Sequence, residues 1–219
     1  LEDDADMGIK YLFRKDRWEL SLAYFQNTDL FGSGGDSELS ASRYAYDIAG
    51  RDKEAHQGNI RVVYHFGTWW RHQFGGSVLM GGLYNMDTRK TGLRTAFALH
   101  YVADYRQWNL KMQYTNYNLR PVRASGEDRR VVTMAAYGSS YRIVSRADIY
   151  TVSLSYRIPV NKCFLDSICL YNDFSLLDKR IAGFNDSLEN VTGCSLAMGN
   201  VFAYIDYAVG RNHAWLGDV

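Results

Sequence analysis

The sequence predicts an all-β fold, an antiparallel transmembrane β-barrel, and three observations carry that expectation. Apolar and polar residues alternate in repeated stretches about ten residues long, Tyr, Phe and Trp gather at their ends, and the connections between them are short and long in turn. A period of two sends successive side chains to opposite faces of a strand. A tilted strand of ~9–11 residues crosses a bilayer. A soluble meander shares the alternation but has no reason to alternate its connection lengths so strictly.

About ten strands are expected. Ile9-Lys10-Tyr11-Leu12-Phe13 sets the pattern of the first, Ala5–Arg14, and Trp18-Glu19-Leu20-Ser21-Leu22-Ala23-Tyr24 that of the second, Arg17–Thr28. His56–Phe66, Trp70–Met86 and Gly92–Tyr105 follow. Trp108–Asn118 opens on Trp108-Asn109-Leu110-Lys111-Met112-Gln113-Tyr114. Ala147–Ile158 alternates most cleanly, with Tyr150, Val152, Leu154 and Tyr156 on one face and Thr151, Ser153, Ser155 and Arg157 on the other. Phe164–Leu177, Asn190–Gly199 and Val201–Val209 complete the set.

The short connections are Lys15-Asp16, Gly67-Thr68-Trp69, Arg106-Gln107, Pro159 to Cys163 and Gly199-Asn200. The long ones are Asp29–Ala55, Asp87–Thr91, Leu119–Arg146 and Asp178–Glu189. Outer-membrane barrels place tight turns in the periplasm and long loops outside. Asp29–Ala55 and Leu119–Arg146 are therefore expected at one end, with Lys15-Asp16 and Gly199-Asn200 at the other. Both chain ends then fall on the outer side, and no closing strand with a terminal aromatic follows Trp215-Leu216-Gly217-Asp218-Val219. An internal piece of a larger barrel, roughly sixteen-stranded, is the expectation.

The segment 129–143 breaks the pattern. Val131 to Tyr141 has strand propensity, but it is mostly small residues, and counting it as spanning would put the following connections on the wrong sides. It belongs inside an outer loop, either folded against the lumen wall as a constriction or standing as a hairpin above the membrane.

Composition agrees with one barrel domain over residues 1–219. Mean hydropathy is -0.32, with 17 Tyr, 19 Gly and 2 Pro, as suits a greasy outside and a wet inside. The longest uncharged run, Gln73 to Met86, is too short and glycine-rich for a membrane helix of ~20 residues. A net charge of +1 provides no strongly basic surface, so no nucleic-acid partner is expected. The 3 Cys show no CxxC spacing. Cys163 and Cys169 lie roughly 20 Å apart along a strand, which suggests neither a disulfide set nor a zinc site.

Enzymatic signals are weak. Gly32-Ser33-Gly34-Gly35-Asp36-Ser37 lacks the Lys-Ser/Thr of a phosphate-cradling loop, and Gly75-Gly76-Ser77 is no nucleophile elbow. His56, His65, His72, His100 and His213 have no metal-binding spacing, and the Asn190-Val191-Thr192 sequon lies in a strand. No catalytic residue, metal or cofactor is expected. The chemistry lies in polar residues opposite the apolar stripe: Lys10 and Arg14, Arg61 and His65, then Arg94, His100 and Asp104, followed by Lys111, Arg157 and Asp206. Charge at mid-depth on a lipid face costs ~2–4 kcal/mol for Arg or Lys, so these ten are candidate pore-lining residues. An excess of cations would lower the barrier for anions; the alternative is that the cations pair with wall acids and only fix the wall.

Several stretches resemble the bacterial outer-membrane porins of the phosphate-selective porin O and P family. They are Arg43-Tyr44-Ala45-Tyr46-Asp47, His56-Gln57-Gly58-Asn59, Leu83-Tyr84-Asn85-Met86-Asp87-Thr88, Trp108-Asn109-Leu110-Lys111, and Tyr204-Ile205-Asp206-Tyr207-Ala208 leading to Trp215-Leu216-Gly217. The resemblance implies a passive, usually trimeric channel of about sixteen strands in the bacterial outer membrane, with an arginine-lined route for anions. No phosphate-binding loop residue of that family maps onto this sequence. The expected function is a diffusion channel for small polar or anionic solutes. An outer-membrane barrel enzyme would instead need a Ser/His or acidic pair at the rim, and a soluble β-barrel ligand-binding protein would purify without detergent.

Overall fold

The computed structural model describes residues 7–26, 47–48, 50–136, 139–162, 164–213 and 216. Thirteen strands form in chain order: β1 Met7–Lys15, β2 Trp18–Gln26, β3 Asp47–Ile48, β4 Asp52–Phe66, β5 Arg71–Asn85, β6 Lys90–Tyr105 and β7 Trp108–Arg120. Then come β8 Val131–Ala136, β9 Ser139–Val144, β10 Arg146–Lys162, β11 Leu165–Lys179, β12 Ser187–Met198 and β13 Val201–Arg211.

Ten of these make one antiparallel sheet in the order β1-β2-β4-β5-β6-β7-β10-β11-β12-β13, each strand beside its neighbour in the chain. This up-and-down order puts every short turn at one end and every long connection at the other, as the connection lengths imply. Tight turns are closed by left-handed residues where the chain reverses, Asp16 at φ 52°, Arg106 at φ 52° and Gly199 at φ 59°. Among the described residues β1 pairs only with β2 and β13 only with β12, so the sheet has two edges and no closed barrel forms.

Strand boundaries shift in places from the sequence expectation. β4 starts at Asp52 instead of His56, because His56 itself is a bulge with φ 37° that lets pairing resume on its other side. The segment 129–143 lies in the connection between β7 and β10, as expected, and is strand-paired there. β8 and β9 form a hairpin that, with β3, makes a second, three-stranded sheet. The Gly-rich stretch 32–37, the motif 43–46, Cys163 and Trp215 lie outside the described residues.

Register fixes which side chains share a face. Ile9, Tyr24, Gly58, Met80 and Thr95 line up across the strands on one side; so do Tyr11, Leu22, Ile60, Val78 and Phe97. Further rows on the same face join Leu99, Tyr114, Tyr150 and Leu176, and Tyr101, Met112, Val152 and Phe174. This apolar face is bare: Ile9 is 74% exposed, and Ile205 at the far edge 69%. At its short-turn end aromatic rings pair between strands, Trp18 with Tyr64 at 4.6 Å, Trp70 with Tyr105 at 4.3 Å and Trp108 with Tyr156 at 4.6 Å. At the long-connection end the face turns polar: Asp148 accepts hydrogen bonds from Tyr114 at 2.9 Å, Asn116 at 2.6 Å and Arg180 at 2.5 Å.

Only nine apolar residues are buried among those described. The one packed cluster joins Ile48 of β3, Val132 of β8, Leu83 of β5 and Leu119 of β7, with Tyr117, Met134 and Ile143 around it. Soluble domains are stabilised by packing two layers on each other's apolar faces. Here no second layer covers the extensive apolar face among the described residues, and the small sheet packs on the opposite side.

Candidate functional site: the polar face

The other face collects the polar residues. The pairings place all ten sequence-predicted positions on it: Lys10 and Arg14 of β1, Arg61 and His65 of β4, Arg94, His100 and Asp104 of β6, Lys111 of β7, Arg157 of β10 and Asp206 of β13. Local packing gives the long side chains room. Lys10 stands beside Ala23, Arg61 between Ser21 and Ser77, Arg94 beside Gly81, Lys111 beside Ser153 and Asp206 beside Gly193. At Gly75 the fit is tight, since an added Cβ would lie 2.4 Å from the His100 ring.

The cations fall into two groups. Glu19 holds Arg14 at 2.8 Å and reaches Arg61 at 3.5 Å, and Glu54 is ion-paired with Arg94. Lys10, Lys111 and Arg157 make no side-chain ion pair or hydrogen bond with another described residue. The candidate acids Asp104 and Asp206 form no ion pair with these cations among the described residues. Asp104 accepts from Asn109 at 2.6 Å, and Asp206 from the Tyr171 hydroxyl. Each found a nearer neutral donor on the adjacent or next strand, at its own level in the register. His100 is hydrogen-bonded to Gln73 at 3.0 Å.

At the long-connection end this face is covered. Leu83, Leu119 and Tyr117 share the side of Arg94 in the register, so β3, β8 and β9 pack onto the polar face and not beyond the end of the strands. The segment 129–143 thus combines a hairpin with packing against the polar face of the sheet. Asp52, only 2% exposed, anchors the region by accepting from Asn85 at 2.9 Å and pairing with Arg123. Around the connections, the Arg51 hydrogen bond holds the Asp87 carboxyl below the ordinary carboxylate range, and Arg130 does the same for Asp128 through side-chain and backbone hydrogen bonds.

Sequence reasoning missed Glu19, Glu54, Asp52, Arg123 and Tyr171. A signal for the cover existed: Leu83 and Leu119 break the polar alternation near the same end of two strands, which marks something apolar above them. Partners such as Glu19 for Arg61, 42 residues apart, emerge only from the register.

Among the described residues no three His, Cys, Asp or Glu groups are arranged to hold a metal ion. Comparison with protein-family models, characterised proteins and solved structures finds no match for this chain. The porin resemblance therefore stands on residue patterns alone.

Proposed function

We propose that this chain forms part of the wall of a bacterial outer-membrane β-barrel, a passive diffusion channel for small polar or anionic solutes. The observation that carries the reading is the pairing of an uncovered apolar face with a charged face on one single-layer sheet. Soluble proteins rarely expose contiguous apolar patches larger than a few hundred Å², and here the patch runs from β1 to β13. Lipid is the partner that covers such a face, and a closed barrel removes the two open edges, which remaining strands of a parent chain would do.

Other features fall into place on this reading. The aromatic pairs at the short-turn end form one interfacial girdle. The polar face lines water, and the small sheet on it narrows the passage from the long-loop side. Trimeric assembly belongs to the same proposal. Incorporation of the full-length parent into a planar lipid bilayer tests it: stepwise ionic conductance is the expected result. A protein that dissolves without detergent and leaves the bilayer electrically silent overturns it.

A further inference from the structure

The polar face is divided. β1 to β7 carry most of its cations, whereas β10 to β13 carry hydroxyls, carboxylates and tyrosines. In the second half lies an open trough of about 410 Å³, within the ~300–1,000 Å³ of small-molecule sites. Its shape follows from side-chain size. Ser153, Ser155, Cys169 and Ser195 make a low floor beside Val191, and Lys111, Asp173 and the Tyr171–Asp206 pair rise around it with Tyr204.

We propose that this trough is a binding site for neutral polyhydroxylated solutes, sugars or sugar alcohols. A vicinal diol both donates and accepts. The trough offers the acceptor-only carboxylate of Asp173, the donor-only ammonium of Lys111 and serine hydroxyls that do either. None of Lys111, Asp173, Ser153, Ser155 or Ser195 uses its side chain in a hydrogen bond or ion pair with another described residue, so these groups face solvent. Asp206 spends one oxygen on Tyr171 and keeps the other. The rings of Tyr171 and Tyr204 add apolar surface for the C–H edges of a solute. Two carboxylates and one ammonium line the trough, with the Arg157 guanidinium beside its Cys169 edge, so an anion among them finds no net attraction to offset the loss of its water. A cation finds only two carboxylates here and no third ligand among the described residues.

The site deepens the channel reading and rests on it only for access from water. The test is calorimetric titration of the detergent-solubilised parent with sorbitol and with gluconate, which differ by one terminal CH2OH exchanged for a carboxylate. Sorbitol is expected to bind and gluconate more weakly. Asp173→Asn is isosteric and removes a charged acceptor, so sorbitol should weaken about tenfold while gluconate gains. Ser153→Leu fills the floor and should abolish both. Gluconate binding as tightly as sorbitol, no sorbitol binding, or sorbitol binding untouched by Asp173→Asn overturns the site. A silent bilayer with sorbitol binding intact would instead remove the channel and leave the site standing.

Discussion

The Tyr171 hydroxyl of β11 donates a hydrogen bond to the Asp206 carboxylate of β13, reaching over the intervening β12 at Gly193. A Cβ at Gly193 would lie 2.1 Å from the Asp206 oxygen and 2.4 Å from the Tyr171 ring. Both are far ends of flexible side chains, so they would swing apart while the backbone stays.

Gly193→Ala and Tyr171→Phe should therefore cost the same contact. Each is expected to lose about 1 kcal/mol or less, the value of one partly exposed hydrogen bond. The double variant should lose no more than either single one, because the second change removes nothing further. Denaturant midpoints for the parent folded into micelles measure this; additive losses would mean the two residues act separately.

The two described free cysteines report one face each. Cys169 lies with the polar residues beside Arg157, and Cys194 lies beside Leu170 and Ile205 on the apolar face. With Cys163 replaced by Ser, Cys169 should react with a charged, water-soluble thiol reagent in vesicles. Cys194 should react only with a lipid-soluble one. Reversed reactivity would mean that the polar face meets the lipid.

Much of this was legible beforehand. The β10 pattern from Tyr150 to Arg157 fixed both faces at once, since a one-residue slip inverts every side chain. Connection lengths ordered the strands. What stayed hidden was non-local. Nothing near Arg94 in the sequence announces Glu54, and nothing near Met134 announces Ile48 and Leu83, which are distant in the chain. Those pairings decide which cations remain unpaired, so the site was half-read.

Charge placement should separate neighbouring positions. Leu154→Arg puts a guanidinium in the middle of the apolar face and is expected to cost ~2–4 kcal/mol of folding into lipid. Ser153→Arg, one residue away, points to the polar face and should cost under about 1 kcal/mol. Equal costs in folding titrations would contradict the assignment of faces.

Val132, 0% exposed, seats the small sheet against Leu83 and Leu119. Val132→Asp buries an unpaired carboxylate there and should release the hairpin. Single-channel conductance is then expected to rise, with strand content by circular dichroism nearly unchanged. A lower conductance would show that the hairpin does not narrow the passage.

The connections should loosen with acid. Asp87 and Asp128 have carboxyls held below the ordinary range by hydrogen bonds from Arg51 and Arg130. A depressed folded value makes the contribution full above the unfolded carboxyl pKa, near ~4. It is lost as pH falls through the lower folded value. Amide protection at 86–89 and 121–130 should hold from neutral pH to about 5 and decline below about 4; a decline already at pH 6 would point to other groups.

The most direct measurement is the reversal potential of the parent in a planar bilayer under a salt gradient. Arg14, Arg61 and Arg94 are paired with acids, whereas Lys10, Lys111 and Arg157 have no such partner among the described residues, so in the proposed channel these three would act on passing ions. A modest anion preference is expected, reduced by the triple change of Lys10, Lys111 and Arg157 to Gln with conductance retained. Cation preference, or a reversal potential unmoved by that change, would show that the polar face does not line the path.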